Sequence, residues 1–162
     1  MENKICIYHA NCNDGKGAAL AIYRRYGDQV TYIPCHYGDE IPADIDGSRL
    51  YIVDFSFKRD DMKTICRRAR FVTVIDHHKT AEKELAGLND EITNLDLIYN
   101  NERSGAALAW QYFFGSVPEI IRHIEDRDLW RFELPDTKHI HYALGLHDDW
   151  KDWLTLYQGI KK

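Results

Sequence analysis

The apolar run Phe71-Val72-Thr73-Val74-Ile75 ends in Asp76-His77-His78, so one carboxylate and two imidazoles follow a segment with the composition of a buried strand. Packing has little use for such a triplet. Two further apolar runs end in the same way. Lys4-Ile5-Cys6-Ile7-Tyr8 leads into His9 and then Asn13-Asp14-Gly15, and Leu50-Tyr51-Ile52-Val53 leads into Asp54. Imidazole and carboxylate donors suit manganese, zinc or iron rather than calcium. With no thiolates at ligand spacing, a structural zinc knot is not expected. The stretch from His9 to Gly17, HANCNDGKG, stops a strand, turns at Gly15 and Gly17 and starts a helix. Such a turn can bring backbone N–H groups and a helix N-terminus to an anion, although a plain βα turn accounts for the glycines equally well. Asp54 reads either as a turn or N-cap aspartate or as a carboxylate placed to bridge two cations. Asp126 and Asp128, in HIEDRDLWRF, read either as a charged helix end or as further carboxylates for the same site.

The elements that must position these groups follow from the patterning. Strands are expected at about 4–8, 30–34, 49–53, 71–75 and 95–99, rich in Ile, Val and Tyr. Helices are expected at about 15–26, 58–69, 80–88, 104–114, 117–127 and 149–158. Ser104 is placed to N-cap one helix that Gly115 closes, and Pro118 suits the first turn of the next. Strands alternating with helices predict an α/β fold: an open, mainly parallel five-stranded, Rossmann-like sheet with helices on both faces. In such sheets ligands collect outside the carboxyl ends of the strands. His9, Asp54 and the 76–78 triplet would all stand at that edge.

The 162 residues are enough for one domain with a substantial core, and 44% hydrophobic with 29% charged residues is ordinary for a globular chain. A net charge of -5 argues against a broad nucleic-acid-coating surface and leaves room for a local phosphate site. Cys6, Cys12, Cys35 and Cys66 form no CxxC pair and no secretory leader precedes the first strand, so reduced thiols in a cytoplasmic protein are expected. No stretch reaches the ~20 apolar residues of a membrane span.

Taken together, HANCNDG at 9–15, VDFS at 53–56, IDHHKT at 75–80 and EDRDLW at 125–130 resemble, in order, the motifs of the DHH phosphoesterase superfamily. The first and last are most similar to its oligoribonuclease and nanoRNase-like members. The resemblance implies a hydrolase with two manganese ions, for which magnesium, cobalt or zinc could substitute. By position, His9 and Asp14 would hold one metal, Asp54 would bridge, and His77 and Asp126 would hold the second. Asp76 would orient a histidine, and His78 would face the scissile phosphate, making Asp54, Asp76 and His78 the catalytic set. Gly15, Asn13, His78 and Arg127 would contact substrate. The activity implied is a metal-dependent phosphodiesterase that cleaves short oligonucleotides or small cyclic or linear nucleotides by metal-activated water attack. A phosphomonoesterase or pyrophosphatase on the same site, or a weakened nucleotide-binding module, is the alternative.

Two departures stand out. Many members carry a further aspartate two residues before or after the Asp-Gly aspartate, where this chain has Cys12 and Lys16. Most also carry a C-terminal, glycine-rich substrate-binding domain, so residues 1–162 are expected to be a single DHH domain without it. A homodimer or a separate lid-bearing partner would be ways to cover the cleft. The aromatics of the closing segment (Tyr142, Trp150, Trp153, Tyr157) would either pack in the core or cover part of the cleft.

Overall fold

The computed structural model describes residues 2–160. Five strands, β1 (Lys4–His9), β2 (Val30–Cys35), β3 (Arg49–Val53), β4 (Phe71–Asp76) and β5 (Leu95–Tyr99), form one sheet in the order β2-β1-β3-β4-β5. Every neighbouring pair is parallel. Among the described residues eight α-helices accompany them: α1 (Asn13–Tyr26), α2 (Arg59–Arg68), α3 (Lys79–Leu85), α4 (Leu88–Glu91), α5 (Gly105–Phe114), α6 (Glu119–Asp128), α7 (Thr137–Gly145) and α8 (Trp153–Ile160).

The interior strands β1, β3 and β4 are mostly apolar because both faces are covered, whereas the edge strands β2 and β5 are partly exposed. Alternate residues enter opposite layers. Cys6, Tyr8, Tyr51, Val53 and Ile75 join the core under α1, α5, α6, α7 and α8. Ile5, Ile7, Leu50, Ile52, Val72 and Val74 join the core under α2, α3 and α4. A fully buried isoleucine such as Ile52 contributes about 1.5–3 kcal/mol relative to exposure, and both layers are built of such residues.

From β1 the chain leaves through α1 to β2 on one side, then returns past β1 to β3 and continues to β4 and β5. The order reverses between β1 and β3, with α1 on one face and α2 on the other. The carboxyl ends of those two strands therefore open onto a crevice, the usual ligand position in this architecture.

The strands stand where the sequence puts them, and the sheet is wholly parallel. Two helical expectations change. The single helix expected over 80–88 is two short ones, because Gly87 takes φ 75° between them. Helix α7 was not anticipated; it follows Asp136 in the left-handed region. Trp150, Trp153 and Tyr157 are core residues, whereas Tyr142 is 70% exposed. Among the described residues no helix is long and apolar enough to cross a membrane.

Candidate metal centre

His9 closes β1, Asp54 follows β3, and β4 ends at Asp76 with His77 and His78 beyond it. Two glycines allow helix N-termini to press against these strand ends. A Cβ at Gly15 would lie 2.2 Å from the His9 carbonyl oxygen, and one at Gly105 would lie 2.6 Å from Asp54 Cβ. Only glycine fits approaches that close. The first brings Asp14, in the opening turn of α1, back over the strand ends. The second sets the start of α5 against Asp14, whose Oδ2 and Oδ1 accept from Gly105 N–H (2.7 Å) and Ala106 N–H (2.9 Å). A helix N-terminus thus steadies a buried carboxylate. At the same helix end Ser104 Oγ accepts from Ala107 N–H, the cap expected from the sequence.

Asp54 has φ 51°, a left-handed conformation that costs a non-glycine residue roughly 1–2 kcal/mol. Its N–H still donates to Ile75 O at 2.9 Å. The twist aims the carboxylate into the crevice, where Oδ1 lies 3.1 Å from His77 Nε2. Its Oδ2 lies 3.7 Å from both His9 Nδ1 and Cys12 Sγ. His77 Nε2 is also 3.4 Å from Asp14 Oδ2 and 3.5 Å from Asp128 Oδ2. The donors fall into overlapping groups, each within 4.8 Å: His9 with Cys12 and Asp54; Asp14 with His77 and Asp128; Asp54 with Asp76, His77 and His78.

The electrostatics of this cluster are those of an under-neutralised anion. Burial, then Asp54 and Asp128, push the Asp14 carboxyl well above its ordinary range. Burial and Asp54 push Asp128 up as well, against the pull of His77, His78 and Arg127. Burial also opposes ionisation of Asp54, yet the imidazoles of His77 and His9 beside it win and bring it down to about 2. His78 is raised chiefly by Asp76, whose Oδ1 lies 2.6 Å from His78 Nδ1 and accepts the His77 N–H at 2.8 Å. Three enclosed atoms, His9 Nδ1, Asp54 Oδ1 and Asp76 Oδ2, have no hydrogen-bond partner among the described residues. An unmet buried polar atom costs about 1–3 kcal/mol. Three at one spot, among four carboxylates, fit divalent cations as the missing partners.

Of the residues expected from sequence, His9, Asp14, Asp54, Asp76, His77 and His78 come together. The grouping differs, since Asp14 sits with His77 and Asp128, and His9 sits with Cys12. Asp126 is not at the centre. Its Oδ1 accepts from Glu133 N–H (2.9 Å), and its Oδ2 from Leu134 N–H (3.2 Å) and Thr137 Oγ1 (2.6 Å), tying α6 to the loop before α7. Two residues along a helix is a rotation of about 200°, so Asp128 faces the crevice where Asp126 cannot. Asn13 turns its amide to His141, donating to the main-chain oxygen at 3.1 Å with Nδ1 equally near. Arg127 lies with its guanidinium 4.3 Å above the Trp130 ring.

No family model matches the chain. It is 31% identical to an uncharacterized protein of Acanthamoeba polyphaga mimivirus over 172 aligned positions, which take in 95% of this chain and 40% of the viral protein. The chain therefore spans less than half the length of that relative. The aligned part includes most of the chain, and all its candidate ligands fall between residues 9 and 128.

Beside the cluster lies a cleft of about 500 Å³, bounded by Asn13, Asp14, Arg127, Asp128, His141 and Tyr142. An aromatic and cationic rim adjoins it, sharing Arg127, His141 and Tyr142 with the cleft. Trp130 is 68% exposed and Tyr142 slightly more open, with Phe132 edge-on to Trp130 at 5.0 Å and Lys138 4.9 Å from the Phe132 ring. Trp130 and Phe132 both take positive φ, 57° and 52°, an outlying conformation for large side chains. Asp126 O, which accepts from Arg131 N–H at 2.9 Å, helps to hold this rim. Sequence reading missed the rim because Trp130 and Phe132 look like core residues when read linearly.

Proposed function

We propose that this chain is a divalent-metal-dependent phosphodiesterase of the DHH type, acting on short single-stranded oligonucleotides or small nucleotides. The observation that supports it best is the convergence of His9, Asp14, Asp54, His77 and Asp128, with unmet buried donors and acceptors, at the carboxyl ends of β1, β3 and β4. These residues would hold the cations, for which manganese is the first choice with such donors. The bound cations would activate a water nucleophile and offset the charge of the phosphoryl oxygens.

The remaining groups have separate tasks. Asp76 holds the proton on His78 Nδ1, which fixes the tautomer and leaves Nε2 as the ring nitrogen available to a phosphoryl oxygen. Its raised affinity for a proton keeps His78 able to donate. The Trp130 and Tyr142 rings, with Arg127 and Lys138 among them, favour unpaired bases joined by phosphate. A net charge of -5 favours short substrates over long nucleic acid.

The test is a substrate panel with manganese: di- and pentaribonucleotides, a cyclic dinucleotide, a 3′,5′-bisphosphate and pyrophosphate, each against Asp54→Asn. Manganese-dependent cleavage of the oligonucleotides that disappears in the variant is the expected result. No turnover on any of them, with metal bound, would sink the proposal. Turnover of pyrophosphate alone would replace it with the pyrophosphatase reading.

A further inference from the structure

We infer that Cys12 is a metal ligand, so that the two cation positions differ in chemistry: a thiolate, imidazole and carboxylate position at His9, Cys12 and Asp54, beside an imidazole and carboxylate position at Asp14, His77 and Asp128. This rests on the metal centre proposed above and specifies what that centre would hold.

Three observations carry it. Sγ of Cys12 and Nδ1 of His9 are each 3.7 Å from the same oxygen, Asp54 Oδ2, and the three donor atoms lie within 4.8 Å of one another. One partner lacks what a cation supplies: the enclosed Nδ1 of His9 has no hydrogen-bond partner among the described residues, and it faces the carboxylate of Asp54, which is only 1% exposed. The sulfur also faces the crevice rather than either core, and its side-chain hydrogen-bond partner is Asp54 Oδ2. Cys12 is the N-cap residue of α1, yet its side chain makes no capping bond. Cys6, Cys35 and Cys66, by contrast, are packed among apolar side chains of the two cores.

The chemical consequence follows from donor softness. A thiolate in the donor set shifts preference toward zinc, cobalt(II) or iron(II) and away from magnesium. The neighbouring position, all oxygen and nitrogen, keeps the preference for harder ions. A centre so built takes two unlike ions, or one ion that tolerates both sets. Binding at the first position replaces the thiol proton, which is released to solvent.

The test uses the full chain, stripped with chelator and titrated anaerobically with cobalt(II). The expected result is a thiolate-to-cobalt charge-transfer band in the near-ultraviolet, with two cobalt ions bound. Cys12→Ser should lose the band and one of the two ions. Cys12→Asp should bind two ions without the band and favour manganese over zinc in competition, a check that does not depend on the serine variant folding. Two bound cobalt ions without the band, or a band that survives in either variant, would overturn the assignment of Cys12 and leave the metal centre standing. No bound cobalt at all would overturn both.

Discussion

Asp54 reaches toward His77 with one oxygen and toward His9 and Cys12 with the other, so its carboxylate links the His9 and Cys12 group to the one built on His77. Its position depends on Gly105, because a methyl group there would fall 2.6 Å from Asp54 Cβ. Gly105→Ala should therefore cost about 1–3 kcal/mol of stability through overpacking, measured by urea denaturation, and should lower activity beyond what the lost folded fraction explains. Unchanged kinetics in the folded variant would contradict that coupling. Asp76→Asn removes the charge behind His78; activity or metal affinity should fall by about 10–100-fold, read by kinetics beside metal analysis. At this scale the sequence was partly legible. Strand-end His9, Asp54, Asp76, His77 and His78 declared themselves because apolar runs lead straight into them. Asp126 and Asp128 did not separate, since both lie in one charged helix end and only the turn of α6 decides which faces the crevice. Cys12 was passed over because a cysteine outside any CxxC spacing gives no sign of what the fold brings beside it.

Helix α7 is fastened to α6 by a buried polar chain in which His123 Nδ1 lies 2.9 Å from Thr137 Oγ1, which in turn donates to Asp126 at 2.6 Å. Thr137→Val keeps the shape and removes both bonds, leaving buried polar atoms short of partners. A loss of about 1–3 kcal/mol is expected, seen as a lower urea midpoint with little change in slope. A neutral result would mean that the chain of bonds contributes no net stability. The sequence hid α7 for a physical reason. Its core-facing side is carried by Thr137, Ile140 and Leu144, while Lys138, His139, His141 and Tyr142 make the rest read as polar loop. The interior strands β1, β3 and β4 were legible because their apolar runs are nearly continuous, as two-sided burial requires. The split between α3 and α4 was not, because nothing in the linear pattern demanded a positive φ at Gly87.

Taken whole, the molecule is anionic, yet cationic and aromatic groups gather at the mouth of its one acidic crevice among the described residues. Trp130→Ala and Tyr142→Ala should each weaken oligonucleotide binding by about 1–3 kcal/mol, the usual worth of a base–aromatic stack. Hydrolysis of a base-free phosphodiester should be unaffected, since neither ring belongs to the donor cluster. Fluorescence titration with a pentanucleotide, set beside kinetics on the base-free ester, measures both; equal losses on the two substrates would mean that the rings support the centre rather than the bases. The fold class was readable from alternation of strands and helices, whereas the rim was not. It depends on two large residues held at positive φ, which no local pattern announces.

An all-parallel sheet contains no hairpin, so each strand pair closes only after a helix has been crossed, and such non-local pairing is slow. The donors are spread just as widely, from His9 to Asp128. At a synthesis rate of 5–20 residues per second, roughly 6–24 s separate the appearance of the first donor from the last. During that interval a growing chain presents a thiol, imidazoles and carboxylates with no crevice to unite them. The arrangement of donors is thus a property of the finished fold, so cations at the proposed centre would be selected from the ions free around the folded protein rather than captured by the chain as it emerges.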